Sequence, residues 1–508
     1  MSVSTELNLQ ILAYVECGAF AQTSMESHGS HVAVFPSPGM GHLIPLVEFA
    51  KRLTLYHGFS VTFIIPKWMT VSHRQNAYVQ RVVSSAVCKI HFIELPHVEI
   101  EGDDAEMNGQ TRQTLLKEKT KPFLEDALRS SSFHFCAFIT DLFCTTMFDV
   151  TSKLEIPSYI FFTSSASLLC LMLYLPTLVQ NIEISFKDVD FEIEVPGLKP
   201  ILGRDLPTPI QDRSNSIDFN WFLQHSSRLH EARGFLINSC EDMEAEQIKA
   251  LLEGKVLLSA DKIPSIYAVG PFISSSLLAS DEEVGEDKEE CLKWLDRQPA
   301  SSVLFVSFGS MGTLSDDQVQ ELALGLEASG QRFLWVLRRP PSILSTMAES
   351  DIRHILPVRF ESRTRDRGLV VSSWAPQIPV LSHPSTGGFL SHCGWNSTIE
   401  SILHGVPMIA WPLFAEQRMN ALYLVKEKKV AIEAKKGPDG LVSKEEVGRV
   451  ARELMEGDGA VEMKKRMRKS MKTTKNAIAE GGSSYNDMAT VAAIWKGMDA
   501  TNTTSKAI

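Results

Sequence analysis

Two hydrophobic periods alternate along the chain. Short β-branched or aromatic runs bounded by Gly, Pro or polar residues predict buried strands at 31–35 (HVAVF), 60–65, 133–140 (FHFCAFIT), 160–162, 234–239 (GFLINS), 266–269, 302–308, 332–337, 389–390 and 408–411, with one more inside 81–95. Between them, apolar residues at every third or fourth position predict helices at 43–53, 109–128 (broken late by Pro122), 167–175, 316–328, from Ser397 onward, 420–427, 444–455 and 485–498. Strand, polar turn, helix, strand recurs in both halves, as in parallel α/β sheets.

A chain of 508 residues is too long for one ordinary core. Two domains are expected, 30–273 and 291–480, with a Ser-rich then acidic linker at 274–290. A closing helix at 481–498 precedes a disordered tail at 499–508, and 338–367 reads as an irregular charged loop. Residues 1–29 carry an apolar run, Leu9 to Ala21, interrupted by Glu16. No Lys or Arg precedes Lys51, so the basic start of a secretory signal is missing, and the run is too short to span a bilayer. The segment is expected to be a disordered or non-native extension.

Composition changes little in this picture. With 44% hydrophobic and 22% charged residues the chain is that of a soluble globular protein, and a net charge of -11 argues against a nucleic-acid binder. The eight cysteines are scattered without a CxxC pair or metal-ligand spacing, which suits a reducing, cytoplasmic setting.

The candidate chemistry lies where predicted strands end. The loop 36–42 (PSPGMGH) supplies two glycines of a dinucleotide fingerprint, Gly39 and Gly41, but Ile44 holds the third position. The next strand ends in Pro66-Lys67 without an acidic ribose ligand, so a nicotinamide cofactor is not expected. His42 and Asp141 instead stand at strand ends on the edge of the sheet where α/β proteins bind ligands. Each also has a bland reading, His42 as a structural histidine and Asp141 as a helix cap. A second phosphate-type loop, 309–313, follows the strand at 302–308. At 392–398 a polar turn leads into a helix whose N-terminus offers backbone N–H groups and a positive dipole end to an anion, with His392, Asn396, Ser397 and Thr398 as further donors. An ordinary N-capped helix fits that stretch equally well. The acidic pair Asp188 and Asp190 lies in an irregular stretch and reads as a solvated connector. Phe143, Met172 and Trp221 are candidates for lining a pocket and equally for core.

The segment 374–417, with WAPQ, HCGWNS, GVPMIAWP and EQ, closely resembles the signature box of plant secondary-product UDP-glycosyltransferases. The loop-helix PSPGMGHLIPLVEFAKRL resembles the branch that glucosylates small phenols such as hydroquinone and monolignols. The resemblance implies a GT-B fold, two Rossmann-like doubly wound domains facing a cleft, whose last helix returns to the N-terminal domain. It implies that Trp374 stacks on uracil, that Ala375 joins the UDP-sugar site, and that Gln377 and Glu400 hold the ribose. His392, Asn396, Ser397 and Ser310 would meet the diphosphate, and Trp395, Glu416 and Gln417 the sugar. A Gln closing the box is the pattern associated with glucose. His42 would be the base and Asp141, in DLF, its partner. The expected enzyme is an inverting, metal-independent, monomeric UDP-glucose-dependent transferase acting on small phenolic acceptors. A UDP-sugar-binding protein without activity and a nucleotide-sugar epimerase of similar fold remain open at this point.

Overall fold

The computed structural model describes residues 30–69, 73–84, 89–100, 109–257, 264–274, 286–338, 352–372 and 374–505. The extension at 1–29, most of the linker (275–285) and the last three residues lie outside them. Among the described residues, fifteen strands form two parallel sheets and one short ribbon. The first sheet contains β1 (His31–Phe35), β2 (Ser60–Pro66), β3 (Ile90–Leu95), β4 (Phe135–Asp141) and β5 (Ser158–Phe162). The ribbon pairs β6 (Glu192–Ile193) with β7 (Ile201–Leu202), and β8 (Gly234–Ile237) and β9 (Ser265–Ala268) complete the first sheet in the order β3-β2-β1-β4-β5-β8-β9. The second sheet consists of β10 (Val303–Ser307), β11 (Arg332–Val336), β12 (Gly368–Val371), β13 (Thr386–Ser391), β14 (Met408–Ala410) and β15 (Ala431–Glu433), ordered β12-β11-β10-β13-β14-β15.

The central strands are buried along their whole length, as strands covered by helices on both faces must be. That is why their middles read as short apolar runs without a polar alternate position. In both sheets the first strand sits between its successor and a later strand, so the chain reverses direction across the sheet at β1/β4 and again at β10/β13. Such switch points open the crevice in which α/β proteins bind ligands.

The chain divides into two compact units. One comprises Met1–Phe161, Arg228–Leu236 and Met488–Ile508, the other Phe162–Ser227 and Ile237–Asp487. Residues 162–227 and 237–273 therefore count with the second unit, although the linker composition had placed the boundary after 273. In the first unit the closing helix packs Trp495, fully buried, edge-on to Phe49, Phe59 and Tyr159. Truncating an aromatic residue in such a setting typically costs about 3–5 kcal/mol.

Several expectations need correction. Pro122 does not break its helix, which runs Gly109–Ser130. Leu116, Thr120, Leu124 and Leu128 are buried at four-residue spacing, and this packed face outweighs the backbone bond that proline removes. Residues 81–84 belong to a helix, His73–Ser84, that had read as part of a strand region. The end of the acidic linker is helical, Glu286–Leu295, anchored by buried Cys291, Trp294 and Leu295. The loop after Arg338 contains short helical pieces at Ile352–Ile355 and Phe360–Thr364, the second pinned by buried Phe360. A long helix, Ala460–Ile478, had no counterpart among the predicted elements. The closing helix, Ser483–Ser505, extends through most of the expected tail. No helix among the described residues is long and apolar enough to cross a membrane.

Candidate active site

In the first unit, β1 and β4 lie side by side with Phe35 opposite Thr140, so the residues that follow each strand emerge at one edge. After β1 the chain turns through Ser37 and Gly39 into the helix Met40–His57, and His42 stands in its first turn. Its Nδ1 lies 2.7 Å from Oδ2 of Asp141, the last residue of β4. Asp141 is 0% exposed. Its other oxygen accepts the Ser37 hydroxyl at 2.7 Å and the Phe143 N–H at 3.0 Å. Burial alone drives this carboxyl upward, but the charge and hydrogen bond of His42, with those from Phe143 and Ser37, outweigh it and hold Asp141 below its ordinary value. An ionised carboxylate can only accept. Nδ1 of His42 must therefore carry its proton toward Asp141, which leaves Nε2 as the basic nitrogen. The Phe143 ring stands edge-on to His42 at 5.9 Å, and buried Lys117 donates to the Phe143 carbonyl. Ser37 and Lys117 were not foreseen: Ser37 lay within the loop 36–42 and Lys117 within the helix predicted at 109–128, neither singled out.

The second unit repeats this geometry with different chemistry. Ser307 of β10 pairs with Ser391 of β13, so the loop at Gly309 meets His392 directly. A Cβ on Gly309 would lie 2.5 Å from Cε1 of His392, and one on Gly394 2.5 Å from Nε2. Gly309 also has φ +73°, a conformation that favours glycine. Two backbone segments thus grip the imidazole, and burial lowers its pKa to about 4, so it is neutral near pH 7. The helix after it begins at Trp395, with Gly394 as its cap, two residues earlier than Ser397. Trp395, Asn396 and Ser397 form the first turn, where backbone N–H groups point along the axis toward an anion.

Trp395 is only 3% exposed, and its indole N–H is spent on the Asn238 carbonyl at 2.8 Å. What it can offer a sugar is its main chain. Gln377 donates its amide to Ser397 Oγ at 2.9 Å and to Glu400 Oε2 at 2.6 Å. Trp374 is 46% exposed, a flat apolar platform, while the next residue, Ala375, is core. Ser310 is exposed on its loop. Glu416 accepts from Ser164 Oγ at 3.2 Å, and Gln417 accepts the N–H groups of Leu413 and Phe414 at 2.8 and 3.0 Å. The Gln417 oxygen is thus committed to its own turn, and its amide nitrogen is the group it can present. Met172 has no exposed surface and is a packing residue, which corrects its candidacy as pocket lining. Trp221 is half-buried, edge-on to His225 at 5.0 Å. Asp188 and Asp190 are exposed on a surface turn, where neighbouring Lys187 pairs with Asp212.

Burial raises the Glu400 carboxyl to about 7, with the Gln377 amide offsetting only part of the effect. A carboxyl raised in the folded state binds a proton that the unfolded chain has already released. Folding stability from this group should therefore fall as pH rises from about 4.5 through about 7, then level off. Melting temperatures of the ligand-free protein between pH 5 and 8 should drop more steeply than those of Glu400→Gln. Parallel curves would show that Glu400 is ionised throughout.

Comparison with known proteins places this geometry. A family model described as "UDP-glucoronosyl and UDP-glucosyl transferase" matches residues 284–457. UDP-glycosyltransferase 72B1 of Arabidopsis thaliana is 41% identical over 479 residues, covering 93% of this chain and 97% of the relative. Hydroquinone glucosyltransferase of Rauvolfia serpentina is 41% identical over 480 residues, covering 92% of this chain and 98% of the relative. Among solved structures, Phytolacca americana UGT2 complexed with UDP-2fluoro-glucose and pterostilbene superposes with a TM-score of 0.81 at 40% identity, covering 92% of this chain and 100% of that one. The two Rossmann-like sheets are those of a GT-B fold.

Proposed function

The chain belongs to the plant family 1 UDP-glycosyltransferases, and we propose that within it this enzyme is an inverting, UDP-glucose-dependent O-glucosyltransferase of small phenols. The 2.7 Å contact between His42 and an enclosed, ionised Asp141 carries the reading, because it makes a base of Nε2. A protein that only bound UDP-sugars would have no use for such a dyad, and an epimerase would need no acceptor to deprotonate. The relatives support the substrate class: one is a hydroquinone glucosyltransferase, another an anthocyanidin 5,3-O-glucosyltransferase from Rosa.

The reaction is a single in-line displacement. The acceptor hydroxyl gives its proton to Nε2 of His42, and its oxygen bonds to the anomeric carbon. The bond from that carbon to the diphosphate oxygen breaks, and UDP leaves with the electron pair. Asp141 steadies the imidazolium. The leaving group is met by the N-terminus of the helix at Trp395, by neutral His392 and by Ser310. This set of donors supports catalysis without a divalent cation. Incubation with UDP-glucose and a phenol panel should yield β-glucosides at rates unchanged by EDTA. Sugar transfer only to water, or an epimerised UDP-sugar, would overturn the function, and loss of rate in EDTA with recovery in manganese would overturn the metal-free mechanism.

Glucose is the proposed donor sugar. Galactose differs in one hydroxyl, and a hydrogen-bonding group left unpaired by the wrong epimer costs about 1–3 kcal/mol, roughly ten- to a hundredfold in selectivity. Glu416 and the Gln417 amide supply acceptor and donor for neighbouring hydroxyls. Gln417→His should erode the preference, although part of any loss will come from the turn that its oxygen holds. Equal kcat/KM for UDP-glucose and UDP-galactose in the wild type would refute the donor assignment.

A further inference from the structure

Arg338 leaves the end of β11, the strand between β10 and β12. β10 runs into the loop Gly309-Ser310, and the chain after β12 leads to Trp374. Arg338 stands between two components of the donor site and touches both. Its Nη1 donates to the carbonyl oxygens of Gly309 at 3.0 Å and Ser310 at 2.9 Å. Its guanidinium carbon lies 5.9 Å from the centre of the Trp374 indole. Nothing in the order of residues marks Arg338 for this, since it opens a run rich in charge and proline.

We infer that Arg338 is the positioning residue of the donor site, one planar cation that fixes both the phosphate loop and the platform for the base. This rests on the reading of the second unit as the UDP-sugar site. Two consequences follow from its chemistry. A cation bonded to the carbonyls of the loop draws negative potential away from the place where a diphosphate must settle. A guanidinium over the indole takes one face of Trp374, so the base takes the other, in the order guanidinium, indole, uracil. Lysine cannot replace it, because an ammonium is a point charge without a plane to lay on the ring.

Calorimetric titration of the full-length protein with UDP and with uridine tests this, alongside melting temperature and steady-state kinetics. Arg338→Ala should weaken UDP about ten- to a hundredfold, the usual scale for lost hydrogen bonds to a charged group. Uridine, which lacks the diphosphate, should weaken by only about three- to tenfold. The kinetic loss should appear in the KM for donor, with kcat at saturating donor within about threefold of wild type. Arg338→Lys should recover only part of the UDP affinity. A UDP Kd for Arg338→Ala within twofold of wild type overturns the inference while leaving the transferase reading intact. Should the alanine variant be too unstable to titrate, Arg338→Lys decides, and wild-type affinity in it overturns the role of the planar group. A wild type that binds no UDP sinks the donor reading and this inference together.

Discussion

His42→Ala is expected to lose about 10²–10⁴-fold in transfer rate, the range typical of a general base, while its Kd for UDP-glucose stays within about threefold of wild type. Nε2 is the nitrogen left to accept a proton once Nδ1 is committed to Asp141. The residues proposed to hold the donor, from Ser310 to Gln417, all belong to the other compact unit. A phenol with a pKa near 10 is about three to four units above a histidine, close enough for proton transfer to keep pace with attack. Without the imidazole, the reactive species must be phenolate already present in solution. The residual rate of the variant should therefore climb about tenfold per pH unit up to the phenol's own pKa, whereas the wild type, supplied with its own base, should depend on pH less steeply. Initial rates from pH 6 to 9, with one calorimetric titration of donor, measure both. Retained transfer with lost donor affinity would remove His42 from the role of base.

Asp141→Asn should be as damaging, by about 10³–10⁴-fold, although it changes one atom. Oδ1 of Asp141 receives two donors, the Ser37 hydroxyl and the Phe143 N–H. An asparagine must put its carbonyl oxygen there, which turns its NH₂ toward His42. Nδ1 must then accept, the ring proton moves to Nε2, and the base is in the wrong tautomer. A comparable loss attends the same change in a serine protease triad. The melting temperature should shift far less than turnover, because the other hydrogen bonds survive. Wild-type turnover in this variant would return Asp141 to the role of a structural cap.

The parts of the fold legible in the sequence are those where burial dictates residue type. The strands at 31–35, 303–307 and 386–391 are buried throughout and carry apolar stretches (VAVF, VLFV and FL), and the loops after them must turn sharply, so their glycines stand out. The helix Ala460–Ile478 was illegible because its buried positions are Ala460, Met467, Thr474 and Ala477. Small and polar residues on the inner face leave no apolar stripe against a background of lysines and arginines. Trp395 shows the opposite limit. Its place in the signature box marks it for the ligand, yet a large ring beside Tyr423 gains more by burial, and only its backbone remains for chemistry. Arg338 and Ser37 become visible only when neighbouring strands are laid side by side, since their partners lie far away in sequence.

The grip on His392 also limits how the anion site can change over evolution or in a library. Gly309 and Gly394 are each closed to a side chain by the same imidazole, so the three positions do not vary independently. With His392 in place, alanine at either glycine is harmful. With His392 shortened to alanine, the Cβ at 394 loses its nearest clash and should become far less harmful, whereas that at 309 still carries the strain of its positive φ. The sign of a glycine substitution therefore depends on order. A lineage that loses the histidine first can drift at 394 afterwards, and each such step bars the return of the imidazole. Accessible paths from this anion site to another run through the histidine, and they act as a ratchet.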